Sequence, residues 1–256
     1  MRVKDLRPAL AALAPAVWLS ACGGQSSSSG PPPNAQRVDE SRAGRISGRV
    51  VLEGQPPANG PIKMTADPEC VRQNPEGARF ETIAVKDDGL ENVFVYVKDG
   101  LGNYYFDVPT QPVTLDQKGC RYHPHVFGIR VGQPVEISNS DPTLHNVHAV
   151  AKANQEFNFP QPVPGMKTRR TFTRREVMVP FRCDVHNWMN AYVGVLDHPY
   201  FAVTSDGGHF ELEGVPAGTY TIEAWHEKLG TQTAQVTLGE KEAKEISFTF
   251  NAASAN

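Results

Sequence analysis

Residues 180–195 read Pro-Phe-Arg-Cys-Asp-Val-His-Asn-Trp-Met-Asn-Ala-Tyr-Val-Gly-Val. Apolar and β-branched residues stand on both sides of a short polar stretch, which predicts a strand, a tight loop and a second strand. The loop supplies a thiol, an imidazole and a thioether from Cys183, His186 and Met189. A loop can direct three such side chains to one point, whereas a strand would send alternate side chains to opposite faces.

A second imidazole is available at His145, in the stretch Asn-Ser-Asp-Pro-Thr-Leu-His-Asn-Val-His of residues 139–148. Two imidazoles, one thiolate and a weak thioether form the ligand set of blue-copper sites. We therefore predict one copper ion, Cu(I) or Cu(II), held by His145, Cys183, His186 and Met189. Two alternatives stay open: another metal such as zinc, which usually avoids a thioether, or an inert buried Cys183 beside an ordinary core Met189.

Outward from this loop, short segments rich in Val, Ile, Phe, Tyr and Thr run from Arg45 to Phe250, separated by Gly, Pro, Asn and Asp. The chain of 256 residues contains 22 Gly and 21 Pro, and no stretch sustains helical periodicity over three turns. This texture predicts an all-β fold of the sandwich type.

The Cys-x-x-His-x-x-Met loop, the run His-Asn-Val-His at 145–148 and the pattern Gly-x-Pro-Val-x-Ile-x-Asn at 132–139 resemble the cupredoxin family, most closely plastocyanin and amicyanin. The resemblance covers about residues 92–197 and implies a Greek-key β-sandwich, which we assign to residues 101–198.

The cupredoxin resemblance also implies roles for single residues. His145, Cys183 and His186 would be equatorial copper ligands and Met189 the axial one. Asn146 would tie the two ligand loops together near the cysteine sulfur. An electron would leave through an exposed edge of the His186 imidazole.

A second texture occupies residues 205–238, where Asp-x-Gly-x-Phe is followed by Pro-x-Gly-x-Tyr. These turns between alternating strands resemble the carboxypeptidase-regulatory-like, or transthyretin-like, β-sandwich. The usual opening of that domain, Gly-x-Ile-x-Gly-x-Val, stands far away at residues 44–50. We therefore predict one smaller sandwich built from residues 44–100 and 199–251, with the cupredoxin domain inserted between them. Two β domains in tandem are the simpler alternative.

The N-terminus has the features of a bacterial lipoprotein signal peptide over residues 1–21. A basic start precedes a short apolar run and the sequence Leu-Ser-Ala-Cys, which ends at Cys22 and resembles a lipobox. Residues 22–43, rich in Gly, Ser and Pro, predict a disordered tether. We expect a lipid-anchored protein of the cell envelope, on the periplasmic, outer-membrane or cell-surface side; ordinary secretory cleavage is the alternative.

With Cys22 lipidated and Cys183 on copper, Cys70 and Cys120 remain as an even pair in an oxidising compartment, which predicts a disulfide between them. The rival interpretation is a second metal site formed by Cys120 with His123 and His125. The other histidines carry weaker signals, and His226 is expected on the surface.

The formal net charge is −3 and basic residues are scattered, so nucleic acid is excluded as a favoured partner. The sequence predicts an electron-transfer protein that meets periplasmic or membrane redox proteins transiently. It is not expected to be an enzyme, because Arg182 and Asp184, rather than histidines leading to a second copper cluster, flank Cys183. The alternatives are a copper-binding or cell-surface binding module without redox shuttling and, less favoured, a copper enzyme.

Overall fold

The computed structural model describes residues 34–255. The predicted signal peptide, Cys22 and residues 22–33 of the predicted tether lie outside the described residues. The prediction of disorder is wrong for residues 34–43, because Gln36 pairs with Tyr104 and Arg37 forms an ion pair with Asp107 at 2.7 Å. Strands dominate the described chain, so the predicted all-β class is confirmed. Among residues 34–255 there is no helix with the length and apolar composition that crossing a bilayer requires.

The elements are given in chain order. The strands are β1 Gly44–Glu53, β2 Val85–Lys86, β3 Gly89–Leu90, β4 Phe94–Asp99, β5 Val113–Gln117, β6 Tyr122–His123, β7 Val126–Arg130, β8 Pro134–Asn139, β9 His145–Ala149, β10 Phe157–Gln161, β11 Lys167–Thr171, β12 Glu176–Arg182, β13 Asn190–Leu196, β14 Phe201–Val203, β15 His209–Val215, β16 Gly218–His226, β17 Gly230–Leu238 and β18 Ala243–Asn251. The α-helix α1 spans Pro68–Gln73, and a 3-10 helix spans Ala252–Ala255.

Strands from the two ends of the described chain form what we call the terminal sandwich. One of its sheets has the order β15-β1-β3-β2, with β18 parallel to β1, and the other has the order β14-β4-β16-β17. Along β1 every second residue is buried, among them Ile46, Val50 and Leu52, because successive side chains of a strand face opposite sides of the sheet. The core between the sheets also holds Phe210 and Tyr220.

The middle of the chain forms the central sandwich. Its sheets have the orders β10-β9-β12-β13-β7 and β11-β8-β5-β6. Strands β9, β12 and β13 are antiparallel neighbours, whereas β13 pairs with β7 in parallel. The core between the two sheets is built on Leu115, Ile137, Val147 and Phe181.

A third apolar cluster joins the two sandwiches, with Phe94 of β4 packed against β7 and β13. Gly128 and Gly194 lie opposite each other in these two strands. A Cβ on Gly194 would lie 2.3 Å from the Phe94 ring, and one on Gly128 would lie 2.3 Å from the Phe201 ring. The close approach of the two sheets therefore requires glycine at both positions.

The segment between β1 and β2 packs on the central sandwich rather than in the core of the terminal one. Met64, Cys70 and Ala78 are buried in the same cluster as Phe181. We call residues 62–78, which include α1, the cap. The cap belongs to the range 44–100 that the sequence assigned to the smaller sandwich, so that range contributes to the cores of both sandwiches.

His198 and His226 are buried. The expectation that His226 lies on the surface is therefore wrong. His226 is 1% exposed and His198 is 3% exposed. The His226 Nδ1 accepts hydrogen bonds from the amides of Lys228 and Leu229, at 3.2 Å each. Burial is the largest cause that lowers the pKa of His226 and of His198 to about 4.

We expect acid to destabilise the fold through these two histidines. Their folded-state pKa values lie below the ordinary value of 6.5, so the unfolded chain binds protons first as the pH falls. Their contribution is present above pH 6.5 and is lost progressively towards pH 4, with about 2 kcal/mol lost for each histidine at pH 5. Urea unfolding at several pH values measures this loss. His226→Gln should flatten the dependence and His123→Gln, at an exposed position, should not; an equally steep dependence in both variants would contradict the assignment.

Candidate metal centre

The ligand loop is the short connection between β12 and β13. Its ends are joined by a hydrogen bond from the Cys183 amide to the Met189 carbonyl, at 3.2 Å. The Met189 amide donates to the His186 carbonyl at 2.9 Å. These bonds turn the chain tightly, so the Cys183, His186 and Met189 side chains all lie in the interior, each no more than 3% exposed.

The second histidine reaches the loop through sheet pairing. His145 begins β9, and β9 pairs antiparallel with β12, with His148 opposite Arg182. The Asn146 amide lies 3.4 Å from the Cys183 sulfur, and the Asp184 amide donates to the Asn146 side-chain oxygen at 3.1 Å. Asn146 thus connects the two ligand-bearing segments beside the sulfur.

Three candidate ligand atoms converge in this interior. The Nδ1 atoms of His145 and His186 are 3.0 Å apart, and the Cys183 Sγ lies 3.8 Å from the His186 Nδ1. One ligand atom from each of the three residues lies within 4.8 Å of the other two. The Met189 side chain is 2% exposed and belongs to the same apolar cluster as Cys183.

Each imidazole has a carboxylate on its distal nitrogen. The His145 Nε2 donates to Asp141 at 2.8 Å, and the His186 Nε2 donates to Asp67 at 3.0 Å. An ionised carboxylate only accepts hydrogen bonds, so these contacts place the proton of a neutral imidazole on Nε2 and leave the Nδ1 lone pair facing the centre. Two such lone pairs 3.0 Å apart repel each other unless a proton or a metal cation lies between them.

The electrostatics of the centre favour the ligand form of the cysteine. Burial is the largest influence on Cys183 and by itself raises the pKa of the thiol. Hydrogen bonds from the side chains of His145 and His186, which require a proton on the Nδ1 atom that faces the sulfur, and from the amides of Asn146 and His186 outweigh burial and lower this pKa to about 6. Burial also opposes the charged form of His145, but Asp141 and Cys183 raise the pKa of the imidazole overall. A thiolate between two oriented imidazoles is a donor set that fits copper.

Asp141 lies just after β8 and is fully buried, and its carboxylate orients the His145 imidazole. Its carboxylate accepts hydrogen bonds from the amides of Gly119 and Cys120, at 2.8 and 2.7 Å. These bonds compensate for burying the charge. The sequence analysis missed Asp141, although its position four residues before His145 was a usable signal.

The cap covers the other imidazole. Cys70 in α1 forms a disulfide with Cys120, with an S–S distance of 2.00 Å. The Asp67 carboxylate accepts hydrogen bonds from the amides of Glu69 and Cys70 at the start of α1, from the Thr143 hydroxyl at 2.8 Å and from His186. No local sequence signal linked Asp67 to the site.

As a result His186 is 2% exposed. The exposed imidazole edge that the cupredoxin resemblance implied is therefore wrong for this chain. The physical reason is that the cap lies over the distal nitrogen, with the Cys70 sulfur 3.7 Å from it.

The remaining candidate residues lie away from this centre. The His123 Nε2 donates to the Lys118 carbonyl at 3.2 Å, and the His125 Nε2 lies 2.5 Å from Glu227. Within residues 34–255, neither histidine belongs to a group of three His, Cys or acidic side chains close enough to share an ion, and Cys120 is in the disulfide. The rival second metal site has no support in this arrangement.

Several solved structures resemble part of this chain. A Cu(I) amicyanin variant is 24% identical, with a TM-score of 0.30, over 35% of this chain and 86% of that chain. A purple cupredoxin from Nitrosopumilus maritimus is 21% identical, with a TM-score of 0.28, over 32% of this chain and 98% of that chain. No family model and no curated protein matches the chain.

A Cu-containing nitrite reductase from Thermus scotoductus is 25% identical, with a TM-score of 0.33, over 36% of this chain. The match spans 24% of that enzyme's length. The structural neighbours are therefore cupredoxins and a copper-containing enzyme, each aligned with a limited part of this chain, and the all-β class follows from the strand pairing itself.

We expect Asp67→Ala to destabilise the protein by about 1–2 kcal/mol, because it removes the N-cap of α1 and the acceptor for Thr143 and His186. Asp67→Asn keeps a capping oxygen and should lose less. Urea unfolding of the disulfide-intact, metal-free protein measures both losses. Wild-type stability in the alanine variant would show that Asp67 does not hold the cap.

Proposed function

We propose that the chain is an exported, membrane-tethered mononuclear copper protein that carries single electrons. One observation supports this proposal. The Nδ1 atoms of His145 and His186 and the Cys183 sulfur lie close together in the interior. Copper held by these residues together with Met189 would supply a one-electron Cu(I)/Cu(II) couple.

The protein's own contribution is a fixed ligand geometry. His145 and Cys183 lie at the ends of paired strands, and the distal nitrogens of His145 and His186 are bound by Asp141 and Asp67. The Asn146 amide points at the sulfur. A ligand set held in place by such surrounding hydrogen bonds changes little between oxidation states, which favours fast electron transfer.

Burial of the ligands supports a carrier rather than an enzyme. A catalytic metal needs a position that substrate can reach, whereas His145, Cys183, His186 and Met189 are each at most 3% exposed. The partners in this proposal are periplasmic or membrane redox proteins, met transiently through small interfaces. Anchoring through Cys22 would keep the copper domain near the membrane.

A copper-binding module without redox shuttling is the second candidate. The observation that favours it is the cap, because a covered His186 suits retention of an ion as well as exchange of an electron. Voltammetry separates the two candidates: a carrier gives a reversible one-electron wave, and a storage or structural site does not.

The decisive test is spectroscopic. Copper-loaded wild-type protein should show a strong sulfur-to-Cu(II) charge-transfer band in the visible region, the matching EPR signal and a reversible one-electron couple. Cys183→Ser should lose essentially all of the visible band, because the thiolate is its source. Val185→Ala, an exposed change in the same loop, is the matched control and should retain the band. A full visible band in the serine variant would contradict thiolate ligation.

The membrane anchor is tested separately. Wild-type protein expressed in a bacterium with lipoprotein processing should sediment with the membrane fraction. Cys22→Ser should move it to the soluble fraction, since it removes the acceptor of the lipid. Continued sedimentation of the variant would argue against lipidation at this position.

A further inference from the structure

The covered His186 raises the question of how an electron would reach the surface, and the answer rests on the function proposed above. The His186 imidazole is 2% exposed, and its distal nitrogen is bound to Asp67 under the cap. A redox partner cannot make contact with this ring. Electron transfer then requires another group that touches His186 and also reaches solvent.

Trp188 meets both conditions. Its ring centroid lies 5.0 Å from that of His186, with 39° between the ring planes. The indole N–H donates to the Cys120 carbonyl at 3.0 Å, which fixes the orientation of the ring beside the disulfide. The side chain is half-buried, so one part packs on His186 while another part faces outward.

The outward part of Trp188 lines a small surface cavity of about 30 Å³. Phe80, which is 37% exposed, and the cationic side chains of Arg79 and Arg121 also line this cavity. Glu81 pairs with Arg121 there. Arg79 and Arg121 outnumber the single Glu81 in this lining, and the excess positive charge suits the approach of an anionic electron acceptor.

We propose that Trp188 is the electron exit of this protein. In the outward step one electron passes from Cu(I) across the His186 imidazole and the Trp188 indole to a one-electron acceptor at the surface. The copper is oxidised to Cu(II), the acceptor is reduced by one electron, the indole is unchanged and no proton moves.

The competing route runs through Asp67, which also touches His186 and whose side chain is 18% exposed. That route crosses a hydrogen bond and then the saturated carbons of Asp67. The indole instead provides a continuous conjugated system from the His186 contact to the surface. Trp188 is therefore the favoured path, and the two routes are separable by substitution.

The rate experiment measures oxidation of the Cu(I) protein by hexacyanoferrate(III) in a stopped-flow instrument, with the reduction potential of every variant measured in parallel. Trp188→Leu should slow the reaction at least about tenfold, equivalent to about 1.4 kcal/mol in the activation free energy, and Trp188→Phe should slow it less. Trp225→Phe, at a tryptophan of the terminal sandwich, should stay close to the wild-type rate. An unchanged or faster rate in Trp188→Leu would overturn the proposal.

A second readout does not depend on turnover. The emission of Trp188 is the difference between the fluorescence spectra of the wild-type protein and Trp188→Phe. Loading with Cu(II) should quench this emission at least tenfold, and loading with redox-inert Zn(II) should quench it much less. Unquenched Trp188 emission at full Cu(II) occupancy would show that the indole is not coupled to the metal.

Failure of the proposed function and failure of the electron exit give different experimental results. Absence of the charge-transfer band and of the reversible couple in the wild-type protein would overturn the proposed function and the exit with it. The exit alone would be overturned if the wild-type protein shows the band and the couple, but Trp188→Leu keeps the wild-type rate or Cu(II) leaves the Trp188 emission unquenched.

Discussion

Two imidazole nitrogens and one thiolate share a buried volume, and the central sandwich is organised around this constraint. The Nδ1 atoms of His145 and His186 are 3.0 Å apart because Asp141 and Asp67 bind their distal nitrogens. Lone pairs at this distance repel each other, and a cation between them would remove that repulsion. Hydrogen bonds lower the pKa of the Cys183 thiol to about 6, and the resulting thiolate carries the negative charge that would stabilise such a cation. These contacts orient both imidazoles and the sulfur toward one point, which supports the proposed metal site.

The cap changes what this site can do. It lies over His186 and is attached to the central sandwich by the Cys70–Cys120 disulfide and by the hydrogen bonds of Asp67. An imidazole with both nitrogens engaged and 2% exposure is a rigid ligand, but it is not a contact surface. Retention of the ion and exchange of electrons are therefore separated in space, with the first at the covered imidazole and the second, in our proposal, at Trp188.

The terminal sandwich packs against the sheet that contains β9 and β12. Its strand β4 places Phe94 over the paired glycines Gly128 and Gly194 of the central sandwich. The strands β7 and β13 that carry these glycines belong to the same sheet as the ligand strands β9 and β12. Close packing on the outer face of this sheet restrains the strands that position His145 and Cys183.

The sequence alone determined the all-β class, which follows from short β-branched segments and frequent turns. It also singled out Cys183, His186 and Met189 as candidate ligands, because all three lie in one seven-residue loop. It also singled out His145 and Asn146 through their motif, and the pairing of β9 with β12 brings both to the loop. Asp67, the burial of His186 and the contact with Trp188 emerged only from the tertiary structure. The bond between Asp67 and His186 joins residues 119 positions apart. Such contacts depend on how an intervening segment packs, and neither periodicity nor motif spacing records that packing.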